Sequence, residues 1–152
     1  MKITSAFARL IGAREASAHC DIPCGIYDPI SAKIAAQTVQ KMVLRIESLD
    51  YAGNADTANT LARYITVKEE HAELCKHELR VLWADYTWPG TDANDIAAKF
   101  NAALKLSSQC KQSVSMESAE ALVAAIDDIA TVFWSTKGVE YSDPNAAVRY
   151  GT

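Results

Sequence analysis

An imidazole, two thiols and a phenol crowd one short stretch of this chain, His19-Cys20-Asp21-Ile22-Pro23-Cys24-Gly25-Ile26-Tyr27-Asp28-Pro29. Thiolates are soft metal donors. The spacing Cys20-x-x-x-Cys24 lets both sulfurs reach one ion only if the chain between them turns sharply. Pro23 and Gly25 favour such a turn, because proline fixes φ and admits the cis form and glycine tolerates unusual φ/ψ. If the chain is cut before His19, that residue gains a free α-amine, which closes a five-membered chelate with the amide nitrogen of Cys20. Two nitrogens and two sulfurs in a plane suit Ni(II) or Cu(II), whereas zinc prefers a tetrahedron. The His19 imidazole can then approach as a fifth ligand, as a metal changing oxidation state requires.

The rest of the chain must hold this hook. Apolar residues Ile30, Ile34, Val39, Met42/Val43, Ile46 and Leu49 predict a helix from about Ile30 to Tyr51, ended by Gly53-Asn54. Asp56 or Thr57 is the expected cap of a second helix reaching about Tyr86. Its stripe runs Leu61, Ile65, Lys68, Ala72, Cys75, Leu79, Leu82, Tyr86, and only Lys68 breaks it. Trp88-Pro89-Gly90 is a stop and turn. Asp92 or Asn94 opens a third helix carrying Ile96, Phe100, Ala103/Leu104 and Ser107. Ser113 or Ser115 caps a fourth carrying Ala119, Leu122/Val123, Ile126, Ile129/Ala130 and Phe133, stopped by Lys137-Gly138. The expectation is an all-α protein: an antiparallel four-helix bundle with an irregular N-terminal hook.

Composition narrows the partners. The 152 residues are 49% hydrophobic, enough for one domain with one core, and no apolar run is long enough to cross a membrane. The net charge is −4, and Lys2, Arg9 and Arg14 against Glu15 make residues 1–18 the basic part. An acidic remainder argues against nucleic acid or an anionic membrane surface as partner. Residues 1–18 end in Ala-Ser-Ala, yet Thr4, Ser5 and Arg9 interrupt the apolar run expected of a signal peptide. They read as a cytoplasmic pro-segment. The domain reading is therefore 1–18 removed on maturation, 19–137 hook and bundle, and 138–152 a flexible C-terminal tail.

The motif His-Cys-Asp-x-Pro-Cys-Gly-x-Tyr-Asp-Pro resembles the nickel hook of the nickel-containing superoxide dismutases. The similarity continues through Lys68–Leu74, Val81-Leu82-Trp83-Ala84-Asp85-Tyr86 and Ile129–Lys137. The resemblance implies a nickel enzyme, one ion per subunit, that disproportionates superoxide to O2 and H2O2 by Ni(II)/Ni(III) cycling. It also implies a homohexamer and a protease that cuts before His19. His19 would bind nickel through its α-amine and imidazole, Cys20 through its amide nitrogen and thiolate, and Cys24 through its thiolate. Tyr27 would stand over the open face of the metal with Tyr86 as its neighbour, and Asp21 would hold the hook. Members of the family often carry glutamate at the position of Ala35 and arginine at that of His71, both contacting the axial imidazole. Here both differ.

Simpler readings compete. Tyr86 occupies a core position of its helix, Cys75 and Cys110 fit as small core residues, and His77 as a solvated one. Lys33, Lys68 and Lys76 are candidates for a positive rim that steers an anionic substrate. A non-catalytic nickel-binding bundle is the rival function. A thiol–disulfide protein is disfavoured because Cys20 and Cys24 lack Cys-x-x-Cys spacing.

Overall fold

The computed structural model describes residues 24–151, and the calls on His19, Cys20 and Asp21 lie outside them. Four long helices follow one another: α1 (Ile30–Glu47), α2 (Ala55–Asp85), α3 (Ala93–Gln112) and α4 (Met116–Ser135). A short α5 (Ala146–Tyr150) comes last, and the described residues contain no strand. Helix α1 packs on α2 and α4, and α3 packs on the same two, so the four close into a ring. Lys76 opposite Ser108 and Glu73 opposite Lys111 show that α2 and α3 run antiparallel, and Lys33 near the start of α1 pairs with Asp127 in the second half of α4. Ala36, Val39, Val43, Cys75, Leu79, Phe100, Ile126 and Phe133 fill the interior. Each comes from the apolar stripe of its helix.

Polar side chains set the helix starts. Asp92 accepts from the N–H groups of Asn94 and Asp95, and Ser115 from that of Ser118. For α2 the cap is Asn54, which accepts from the Thr57 N–H at 2.9 Å, rather than Asp56 or Thr57. Asparagine is among the best N-caps, and here it both follows the preceding turn and opens the next helix. Helix α1 stops at Glu47, short of the expected Tyr51. Ser48 and Asp50 favour local side-chain bonding over helix, and Tyr51 is exposed, so no burial rewards another turn. Gly138 (φ 71°) ends the α4 region. Its N–H bonds to the Ser135 carbonyl and that of Val139 to the Trp134 carbonyl, a paired Schellman closure.

Past Gly138 the chain is seated on the bundle. The Tyr141 hydroxyl donates to Asp127 at 2.8 Å, Gln37 donates to the Ala146 carbonyl at 3.0 Å, and Lys41 donates to the Gly151 carbonyl at 2.7 Å. Arg149 bonds Gln37 and pairs with Asp143. A segment without an apolar period was expected only as a tail. Its order comes instead from polar groups on α1 and α4 that a hydrophobic pattern does not reveal.

Candidate metal centre

The described part of the hook leads into α1 through a tight turn. Gly25 adopts φ 73°, a left-handed conformation that a side chain disfavours. The turn brings the Ile26 N–H to 3.5 Å from Cys24 Sγ. The same sulfur lies 3.8 Å from the Ile26 carbonyl oxygen. Cys24 is exposed, in contrast to Cys75 and Cys110, which lie in the core. Burial pushes the Cys75 thiol up to about 12 and raises that of Cys110 as well. Chemistry and accessibility therefore single out Cys24 among the described cysteines.

Asp28 and Pro29 anchor the turn. Pro29 has no side-chain cap to offer α1, and Asp28 Oδ1 accepts the Ile30 N–H at 2.9 Å in its place. One turn later Lys33 is buried and paired with Asp127 of α4, which also receives the Tyr141 hydroxyl. Burial, with the Asp127 carboxylate beside it, pushes the Tyr141 phenol well above its ordinary value. This network pins the start of α1 to α4. A cavity of about 160 Å³ lies between Ile26, Tyr27, Asp28 and Ser31 on one side and Glu78, Val81 and Leu82 of α2 on the other.

Tyr27 and Tyr86, 59 positions apart in sequence (86 − 27), meet edge to face with ring centroids 5.9 Å apart. Tyr86 just follows α2, and its ring also packs against Trp88 at 5.1 Å and Phe133 at 4.9 Å. Its hydroxyl lies 2.6 Å from Thr136 Oγ1, and the Lys137 ammonium sits 5.3 Å from its ring centroid. Trp88 is held at φ 52°, unusual for a bulky residue, with its indole nitrogen buried and lacking a hydrogen-bond partner among the described residues. Strain and an orphaned donor thus coincide beside the tyrosine pair. Trp88 and Thr136 went unnoticed as site residues in the sequence. They fall in a turn and at a helix stop, where no period marks them, although an aromatic before Pro89 was a signal.

The proposed lysine rim is not formed. Lys33 is buried against Asp127, and Lys68 is 2% exposed with its ammonium on the carbonyls of Cys110, Lys111 and Ser113. Lys76 bonds Ser108 at 2.8 Å. Each finds a partner within the bundle, and Lys137 is the cation placed beside Tyr86. Ala35 is buried in the core, and the His71 Nδ1 lies 2.9 Å from the Val67 carbonyl, one turn back on its own helix. Among the described residues no three His, Cys, Asp or Glu side chains gather into a metal cluster. Of the donors read from the sequence, Cys24 alone lies among the described residues, exposed on its turn.

Comparison with known proteins gives the relatives of the chain. Residues 14–137 match the family model of the nickel-containing superoxide dismutases. The nickel superoxide dismutases of Streptomyces seoulensis and Streptomyces coelicolor are each 37% identical over 123 residues, spanning 80% of this chain and 89% of theirs. A crystal structure of a Ni-containing superoxide dismutase with nickel ligation of the oxidised state aligns with TM-score 0.69 at 33% identity. It covers 80% of this chain and all of that one. Residues 138–151 lie beyond the family match.

Proposed function

Because the chain belongs to the nickel-containing superoxide dismutase family, we propose that it disproportionates superoxide to dioxygen and hydrogen peroxide with nickel as its cofactor. The observation that carries this reading is the juxtaposition at one end of the bundle. Exposed Cys24 sits on a left-handed glycine turn, three residues before a tyrosine packed on Tyr86, in a chain 37% identical to nickel superoxide dismutases. His19 would hold nickel by its α-amine and imidazole, Cys20 by its amide nitrogen and thiolate, and Cys24 by its thiolate. Bound nickel supplies the one-electron couple, and anionic sulfur and amide donors bring that couple within reach of superoxide.

The protein's own residues do the remaining work. The Gly25 turn holds the Ile26 N–H toward the Cys24 sulfur and so orients that donor. Asp28 and Pro29 fix the exit of the hook. Tyr27 and Tyr86 order water and reduced oxygen near the metal, the Tyr86 ring held by Tyr27, Trp88 and Phe133. Ala35 and His71 replace groups that would support the His19 imidazole in many relatives, so the enzyme would be tuned differently. The pair Ala35→Glu with His71→Arg should then shift the pH–rate profile and the Ni(III) EPR signal.

The proposal extends to maturation and assembly. A protease cuts before His19 to free the α-amine, leaving a mature domain from residue 19, and the chains assemble as a cytoplasmic homohexamer, away from membranes and nucleic acid. The decisive experiment is the intact mass and metal content of the protein from nickel-replete cells, alongside a superoxide-decay assay. A chain beginning at His19 with one nickel and rapid superoxide decay is expected. A nickel-bound chain that leaves superoxide untouched would favour the storage protein instead.

A further inference from the structure

The hydroxyl of Thr136 has one proton and two close oxygen neighbours. It lies 2.6 Å from the Phe133 carbonyl and 2.6 Å from the Tyr86 hydroxyl. A carbonyl oxygen only accepts, so the Thr136 proton goes to Phe133. Thr136 Oγ1 is then left with lone pairs facing Tyr86, and the Tyr86 hydroxyl must be the donor. Were the threonine turned the other way, two acceptor oxygens would face each other at 2.6 Å in a half-buried site. Tyr86 has little freedom to escape the arrangement, because Tyr27, Trp88 and Phe133 pack on its ring.

We infer that Thr136 is a positioning residue that commits the Tyr86 proton to the end of α4, so that Tyr86 meets oxygen species only as a hydrogen-bond acceptor. The inference deepens the superoxide reading and rests on it for its catalytic meaning. Superoxide is an anion without a proton and cannot donate to an acceptor. Water and hydrogen peroxide can. Tyr86 therefore orders water and protonated product and does not capture the substrate anion. Thr136 sets this preference without touching either.

Two measurements test it. The Raman Fermi doublet of tyrosine distinguishes a donor phenol from an acceptor phenol. The difference spectrum between the full chain and its Tyr86→Phe variant, taken without nickel, should carry the donor signature. Thr136→Val should abolish that signature and Thr136→Ser should keep it. In the nickel-loaded enzyme, Thr136→Val should lower kcat about fivefold, the worth of one hydrogen bond. Nickel content should stay unchanged, and Thr136→Ser should restore the rate. In a Tyr86→Phe background Thr136→Val should cost nothing further. An acceptor signature for Tyr86, or an equal loss in both backgrounds, overturns the inference. If the parent holds nickel but leaves superoxide intact, the functional reading fails while the Raman result still decides the proton's direction.

Discussion

The two ends of the bundle treat their polar groups in opposite ways. At the end far from the hook, Lys68 is buried in the α2 stripe, and its ammonium bonds three carbonyls left over at the end of α3. Every lysine proton there has an acceptor, and three orphan carbonyls gain a donor. Desolvation lowers the Lys68 pKa, so the charge is held at some cost. About 26 Å further along α2, from Lys68 to Asp85 at 1.5 Å per residue, the hook end keeps what the far end removes. Trp88 has a strained backbone and an orphaned indole donor, Gly25 is left-handed, and Cys24 lies open. One end satisfies its polar groups, and local rules are broken at the other, where the site is proposed.

If that contrast is real, changes at the two ends should separate activity from stability. Cys24→Ser should have the largest effect: nickel binding and superoxide activity fall to background, while the melting temperature of the nickel-free chain stays within a degree or so, since exposed side chains contribute little. A clear loss of apo stability would show the hook to be structural. Lys68→Met should do the reverse. Leaving the carbonyls without their donor should lower the unfolding free energy by about 3 kcal/mol. Denaturant melts measure that, and nickel content and turnover below the transition should match the parent.

Thiol titration sharpens the same division. Cys75 ionises near 9.0 when unfolded and is pushed up to about 12 when folded, chiefly by burial. Above pH 9.0 the unfolded chain loses this proton and the native one retains it, so stability falls as pH rises toward 12. Alkaline melts should show that slope, and Cys75→Ala should reduce it. Iodoacetamide on the native nickel-free chain should label Cys24 and spare Cys75 and Cys110. The smallest effect belongs to Tyr141→Phe, which removes one of the two donor residues on Asp127 and should cost about 1 kcal/mol in a thermal melt. A larger loss would mean that the C-terminal segment carries more of the hook's support than Lys33 does.

Much of the fold was legible because the four long helices are amphipathic and end in recognisable polar or glycine residues. The caps at Asp92 and Ser115 and the stop at Gly138 follow from local chemistry alone. Asn54 was read as an ending when it is also a beginning, and Ser48–Tyr51 lost the helix because a residue's tertiary exposure cannot be seen in its period. Lys68 was visible as a break in an apolar stripe. That its ammonium belongs to carbonyls 42 to 45 positions away depends on how α2 lies along α3. The same limit explains the unformed lysine rim. The site divides likewise: donors and tyrosines carry their chemistry in residue type and spacing. Thr136 and Trp88 acquire theirs only from what folding places beside Tyr86.

Asp127 receives Lys33 from the first turn of α1 and Tyr141 from the segment after α4. Those partners are separated by most of the chain's synthesis. Residues 139–151 leave the ribosome after all four helices, so the anchorage of the hook is completed last. The start of α1 is therefore pinned from both sides of Asp127 only once residue 141 has emerged.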